Sequence, residues 1–222
     1  METHFHEELN RLCDRLLHMA SLAERMIQIS VQALVSRDEE MRKKVFVSED
    51  EVNRLHLEID DRCCKLLALY QPVANDLRTI LAALKMCSDL ERIGDQAVNI
   101  AQQASDLIQQ PPVKPLIDLP RMSEIAQLMV KESIDSFVHR DEGMARRVVL
   151  RDDEVDNLKD QIFRELLTYI MQDPTVTAGA IALILISRSL ERVADHATNI
   201  AEDVIFMIQA KDIRHHAEET RG

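Results

Sequence analysis

Residues 189–204 read SLERVADHATNIAEDV, and residues 89–104 read DLERIGDQAVNIAQQA. Over the first thirteen positions the two stretches agree at eight, at an offset of 100. Apolar residues recur at intervals of three and four, the period of an amphipathic helix. On such a helix Glu91, Asp95 and Asn99 fall at i, i+4 and i+8, as do Glu191, Asp195 and Asn199. Each set forms a row of oxygen atoms about 6 Å apart along the axis. Like charges four residues apart weaken an exposed helix by about 0.2–0.5 kcal/mol. The penalty grows beside buried apolar neighbours such as Leu90, Ile93 and Ile100. A costly arrangement that recurs in register requires a physical reason.

The duplication extends beyond the motif. DEVNRL (50–55) aligns with DEVDNL (153–158) at an offset of 103. This reading places a three-residue insertion in the later copy, near MQDPTV. Each copy divides into three helices. In the first, Leu9, Leu12, Leu16, Ala20, Ala23, Ile27, Val31 and Leu34 form one stripe. SRDEE (36–40) ends that helix, with Asp38 as N-cap of the next. The second helix stops before Pro72, with a kink or cap expected at Ser48. The third starts near Asn75–Asp76 and carries the acidic row. In the later copy HRDEG (139–143) makes the first break, and Asp173 with Pro174 opens the last helix. The expected fold class is all-α, two tandem three-helix bundles related by an approximate two-fold axis. Residues 1–110 form the first repeat, the proline-rich 111–120 a linker, 121–212 the second repeat and 213–222 a polar tail.

Composition supports this reading. Four Gly and six Pro in 222 residues, with abundant Leu, Ala and charged residues, suit helices rather than strands. The net charge of −12 repels phosphate backbones and argues against direct nucleic-acid binding. Cys13, Cys63, Cys64 and Cys87 contain no CxxC pair and read as reduced core cysteines of a cytoplasmic protein. The N-terminus lacks the basic and apolar pattern of a signal peptide. The longest apolar run, AGAIALILI (178–186), is too short to span a bilayer.

A solvated face with carboxylates paired to Arg188 and Arg92 would explain one such helix. Two in register point to a multivalent cation, and all-oxygen ligands favour magnesium, manganese, calcium or iron. Paired carboxylates could bridge neighbouring ions, with further ligands drawn from other helices. A ferritin-like di-iron site needs Glu-x-x-His pairs, and the chain has none. His196 beside Asp195 could act as a base, but its counterpart is Gln96. No phosphate-binding loop, GxSxG or HExxH motif occurs, and no nucleophile–base set is visible. His4, His6, His215 and His216 sit at the chain ends, and the ten methionines read as core filler.

The stretches LYQPVANDLRTILAALKMCSDLERIGDQAVNIA (69–101) and DDEVDNL with SLERVADHATNIAEDV (152–204) closely resemble the PhoU family of bacterial phosphate-transport regulators, over roughly residues 5–212. The resemblance implies two three-helix bundles about a pseudo-two-fold axis. It implies metal ions (iron, zinc, magnesium or manganese) held by Glu91 and Asp95 in one repeat and Glu191 and Asp195 in the other, with Asn99 and Asn199 nearby. Asp89 and Asp203 could contribute, although Ser189 and Gln103 replace them in the other copies. Asp76 and Arg78 match the family's PVAxDLR stretch. It further implies a non-enzymatic negative regulator of the phosphate-starvation response. Such a protein would link the ATPase subunit of the phosphate ABC transporter to a sensor histidine kinase, form a homodimer and associate peripherally with membrane complexes. A metal-dependent phosphohydrolase and a metal-buffering bundle are the alternatives.

Overall fold

All eight residues of the first apolar stripe, Leu9 through Leu34, are buried along one helix, α1 (Glu2–Ser36). The structure, a computed structural model, describes residues 2–210 and side chains from residue 4 onward. The polar tail, with His215 and His216, lies outside the described residues. Five more helices follow: α2 (Glu39–Tyr70), α3 (Ala74–Ile108), α4 (Asp118–His139), α5 (Glu142–Gln172) and α6 (Thr177–Gln209). No strand occurs among the described residues.

The breaks follow local chemistry. Asp38 caps α2 by accepting from the Glu40 N–H at 2.9 Å, and Glu39 and Glu40 face the positive end of the helix dipole. Asp141 caps α5 through the Met144 N–H at 3.0 Å. Asp173 caps a 3-10 turn (Pro174–Val176) through the Thr175 N–H at 3.0 Å, and α6 continues from it. Two expectations change. α2 runs through Ser48 without a break, because the Ser48 hydroxyl donates to the Lys44 carbonyl at 3.0 Å instead of capping. The length difference between copies has the opposite sign. An offset falling from 103 to 100 means that the first copy is longer, and the extra length lies at the start of α3, where Ala74 is fifteen residues before Asp89 while Thr177 of α6 is twelve before the equivalent Ser189.

Like packs with like. α1, α2 and α3 contact one another, as do α4, α5 and α6, and the two sets meet through α3 on α6 and α1 on α4. Equivalent helices meeting equivalent helices is the signature of a two-fold relation. α2 and α5 lie outermost, each touching only helices of its own repeat and its adjoining turn. One continuous apolar cluster runs through both repeats. The central pair can approach closely because its buried faces are rich in small residues, among them Ala97, Ala101, Ala104, Ala194, Ala197 and Ala201.

The connection from α3 to α4 is held down rather than loose. Arg37 donates to the Ile108 and Gln110 carbonyls at 2.5 and 2.6 Å. The buried Lys114 ammonium meets Glu165 and, at 3.4 Å, Asp118. Val113 packs so near Gly179 that a Cβ there would come within 2.7 Å of its Cγ2. α4 begins at Asp118, three residues before Arg121. Among the cysteines, Cys63 and Cys87 are buried, Cys13 is half-buried, and Cys64 is exposed instead of in the core, because it lies on the solvent side of α2 next to the buried Cys63. No described helix is long and apolar enough to cross a membrane.

Candidate metal centres

Each acidic row stands beside a second set of carboxylates from the preceding helix. In the later repeat, α6 presents Glu191 and Asp195, and α5 presents Asp152 and Asp156. In the earlier repeat, α3 presents Glu91 and Asp95, and α2 presents Glu49, with Asp50 beside it on the exposed side. Glu49 and Asp152 are equivalent at the offset of 103. They immediately precede Asp50 and Asp153, the first residues of the aligned DEVNRL and DEVDNL segments. The signal for a second acidic helix was therefore present in the repeat itself.

The later cluster carries the stronger electrostatic signature. Asp152 is half-buried, and its carboxyl is pushed up to about 6, by burial first and then by the charges of Asp195 and Asp156. The Thr198 hydroxyl beside it works in the opposite direction, without the geometry of a full hydrogen bond. Asp195 stands at the solvent edge and is also raised, by partial desolvation, then by Glu191 and Asp156. One cation is built in. Lys159 donates to Asp156 at 2.8 Å and to Glu191 at 3.1 Å, and those hydrogen bonds, Asp156 foremost, hold its ammonium well above the usual range. In the earlier cluster Glu49 is raised by burial, then by Asp95 and Asp50. Its neighbouring cation is Arg92, 3.6 Å from both Glu91 and Asp95. That arginine is largely exposed, so each contact contributes little.

The other sequence-selected residues have different partners. Asn99 donates to Gln96 at 3.4 Å. Asn199 donates to Asp89 at 3.3 Å, across the α3–α6 seam. His196 also meets Asp89, at 2.8 Å. Asp89 thus joins the two repeats. Asp203 is buried in the same seam and accepts from Lys85 at 3.0 Å. Arg78 donates to the Met207 carbonyl at 3.1 Å and to Asn75, tying the start of α3 to the end of α6. Asp76 sits in the first turn of α3.

The donor set suits hard or borderline cations. Glu49, Glu91 and Asp95 in one repeat, and Asp152, Asp156, Glu191 and Asp195 in the other, offer oxygens from two facing helices, although no three of these oxygens lie within 4.8 Å of one another, so a bound ion would have to draw them together. The raised carboxyls show charge crowded together with incomplete compensation. A divalent ion would relieve that repulsion, which is the physical basis for a fit.

Comparison with known proteins agrees with the architecture. The PhoU domain family model matches residues 16–104 and 119–204, one match in each repeat. The chain belongs to the PhoU family. A relative from Aquifex aeolicus, named phosphate-specific transport system accessory protein PhoU homolog, is 38% identical over 216 residues, covering 97% of this chain and 98% of that protein. A Pseudomonas aeruginosa protein of the same name is 36% identical over 212 residues, covering 95% and 88%. The crystal structure of PhoU from Pseudomonas aeruginosa superposes with a TM-score of 0.90 at 36% identity, covering 93% of this chain and all of that one. The phosphate transport system regulatory protein PhoU from Streptococcus pneumoniae gives 0.85 at 25% identity, covering 94% and 98%.

Proposed function

We propose that this PhoU-family protein regulates phosphate transport as a metal-binding, non-catalytic adaptor. In this reading it joins the ATPase subunit of the phosphate ABC transporter to a sensor histidine kinase, and so restrains the phosphate-starvation response when phosphate is plentiful. The transport role is supported by the accessory and regulatory names of relatives that match nearly the whole chain. Metal binding is supported by one observation above the others: at the equivalent positions Glu49 and Asp152, a partly desolvated carboxylate on the preceding helix is crowded by the acidic row of its repeat, through Asp95 in one and Asp195 in the other. A scaffold role agrees with the outermost placement of α2 and α5, whose outer surfaces are free for partner domains. His196, the motif side chain best suited to act as a base, is engaged by Asp89 at the seam between repeats.

The test is capture of the kinase and the transporter ATPase from phosphate-replete cells, with wild type and with a Glu91→Gln, Asp95→Asn, Glu191→Gln, Asp195→Asn variant. Wild type should retain both partners and the variant should lose at least one, together with phosphate repression. Equal capture and equal repression by the folded variant would remove the acidic rows from the mechanism. Turnover of phosphate esters with manganese, abolished by Asp195→Ala, would replace the adaptor with a hydrolase.

A further inference from the structure

The two repeats differ sharply one turn beyond the acidic row. In the first repeat His56 and Asp60 lie four residues apart on α2, so both project toward the same side as the buried Cys87 of α3. One ligand atom from each of the three lies within 4.8 Å of the others. His56 Nε2 and Asp60 Oδ2 are 4.0 Å apart, too far for a hydrogen bond. The Cys87 sulfur has only loose neighbours, the Met19 sulfur at 3.7 Å and the His56 carbonyl at 3.8 Å. In the second repeat the equivalent positions are Lys159, Phe163 and Ser187. There the Lys159 ammonium occupies the place of His56 and neutralises Glu191 and Asp156. The first repeat has no lysine at that place, and its cluster offers nitrogen, oxygen and sulfur instead.

We propose that His56, Asp60 and Cys87 form a mixed-ligand site for a borderline divalent cation of the zinc class, distinct from the all-oxygen rows and present in the first repeat alone. Bond lengths of about 2.0–2.3 Å place tetrahedral ligands about 3.3–3.8 Å apart. The present separations reach that range through rotation of the half-buried His56 and Asp60 side chains, with Cys87 fixed in the core. Sulfur and imidazole select zinc-like ions over magnesium and calcium. Burial raises the Cys87 thiol well above its usual range, and the charges of Asp60, then Cys63 and Glu91, add to this. The same negative surroundings attract a cation, and binding expels the thiol proton to solvent. His56 and Asp60 reach solvent and leave the fourth position open to water. Glu91, one turn past Cys87 on α3, leads from this site to the acidic row. The site does not depend on the rows being metal centres.

The test is cobalt titration of the chelated full-length protein in a Cys64→Ser background, which removes the exposed thiol. One equivalent of Co²⁺ should produce thiolate-to-cobalt charge-transfer absorption, and Zn²⁺ should bleach it. Cys87→Ser should abolish the absorption. His56→Lys and Asp60→Asn, which leave the core intact, should weaken cobalt binding by about tenfold or more. Neutralising Glu191 and Asp195 should change none of this. Absence of the thiolate band, its persistence in Cys87→Ser, or unchanged affinity in both α2 variants would overturn the site. Cobalt bound without that band would report the all-oxygen rows, so failure of this site is distinguishable from failure of theirs.

Discussion

Replacing Asp152 by Asn should stabilise the metal-free protein, an unusual result for a half-buried charged residue. The reason is the company it keeps. Its carboxyl titrates near 6 in the folded chain and near 3.8 when unperturbed. Between those values the unfolded chain has already lost the proton that the folded chain retains. The native state is therefore favoured below about pH 4, and that advantage disappears as pH rises through about 6. The full difference corresponds to about 3 kcal/mol. Asp152 is only half-buried, and solvent screening reduces this to about 1–2 kcal/mol. For a chain of this size, Asp152→Asn should raise Tm by about 2–8 °C at pH 7.5 in chelator and by almost nothing at pH 4. Calorimetry of both proteins across that range measures it. With saturating manganese the order should invert, because wild type gains more from ligand binding to the folded state. A variant no more stable at pH 7.5, or equally stabilised at both pH values, would refute the electrostatic reasoning.

Other consequences are simpler to measure. Gly94 lies mid-helix opposite Val52, where an added Cβ would sit at 3.4 Å, and its counterpart in the second repeat is the buried Ala194. Gly94→Ala should therefore stabilise by about 0.5–1 kcal/mol in urea unfolding, and a loss of stability would show that α3 cannot yield there. Lys85→Met removes the ammonium that Asp203 accepts from within the seam. It should cost about 1–3 kcal/mol in the same assay, and a neutral result would mean that Asp203 is satisfied by its remaining contacts. Cys64 should react rapidly with maleimide in the native protein. Cys63, whose thiol burial and then Asp60 push up to about 12, and Cys87 should react only on unfolding, as mass spectrometry after timed quenching will show.

The sequence made the helices and their duplication legible because apolar period and capping residues are local. The α1 stripe, the caps at Asp38 and Asp173 and the break at HRDEG (139–143) all depend on neighbours within a turn or two. Glu91, Asp95, Glu191 and Asp195 were legible for the same reason, as fixed spacings on one helix. Their partners Glu49 and Asp152 were harder, because they depend on which face α2 and α5 turn toward α3 and α6. The seam was least accessible. Asp89, His196 and Asn199 meet across more than 100 residues of chain, and Lys85 meets Asp203 across 118. No local pattern distinguishes such a contact from a surface charge. Ser48 misled because a hydroxyl can bond back to its own helix as readily as cap a new one.

Elemental analysis of the protein purified without chelators is the most direct test of the central claim. Wild type should carry bound metal, and the folded variant with Glu91, Asp95, Glu191 and Asp195 neutralised should lose most of it. Equal metal content in the two proteins, or none in wild type after dialysis against excess manganese, iron or zinc, would contradict the account.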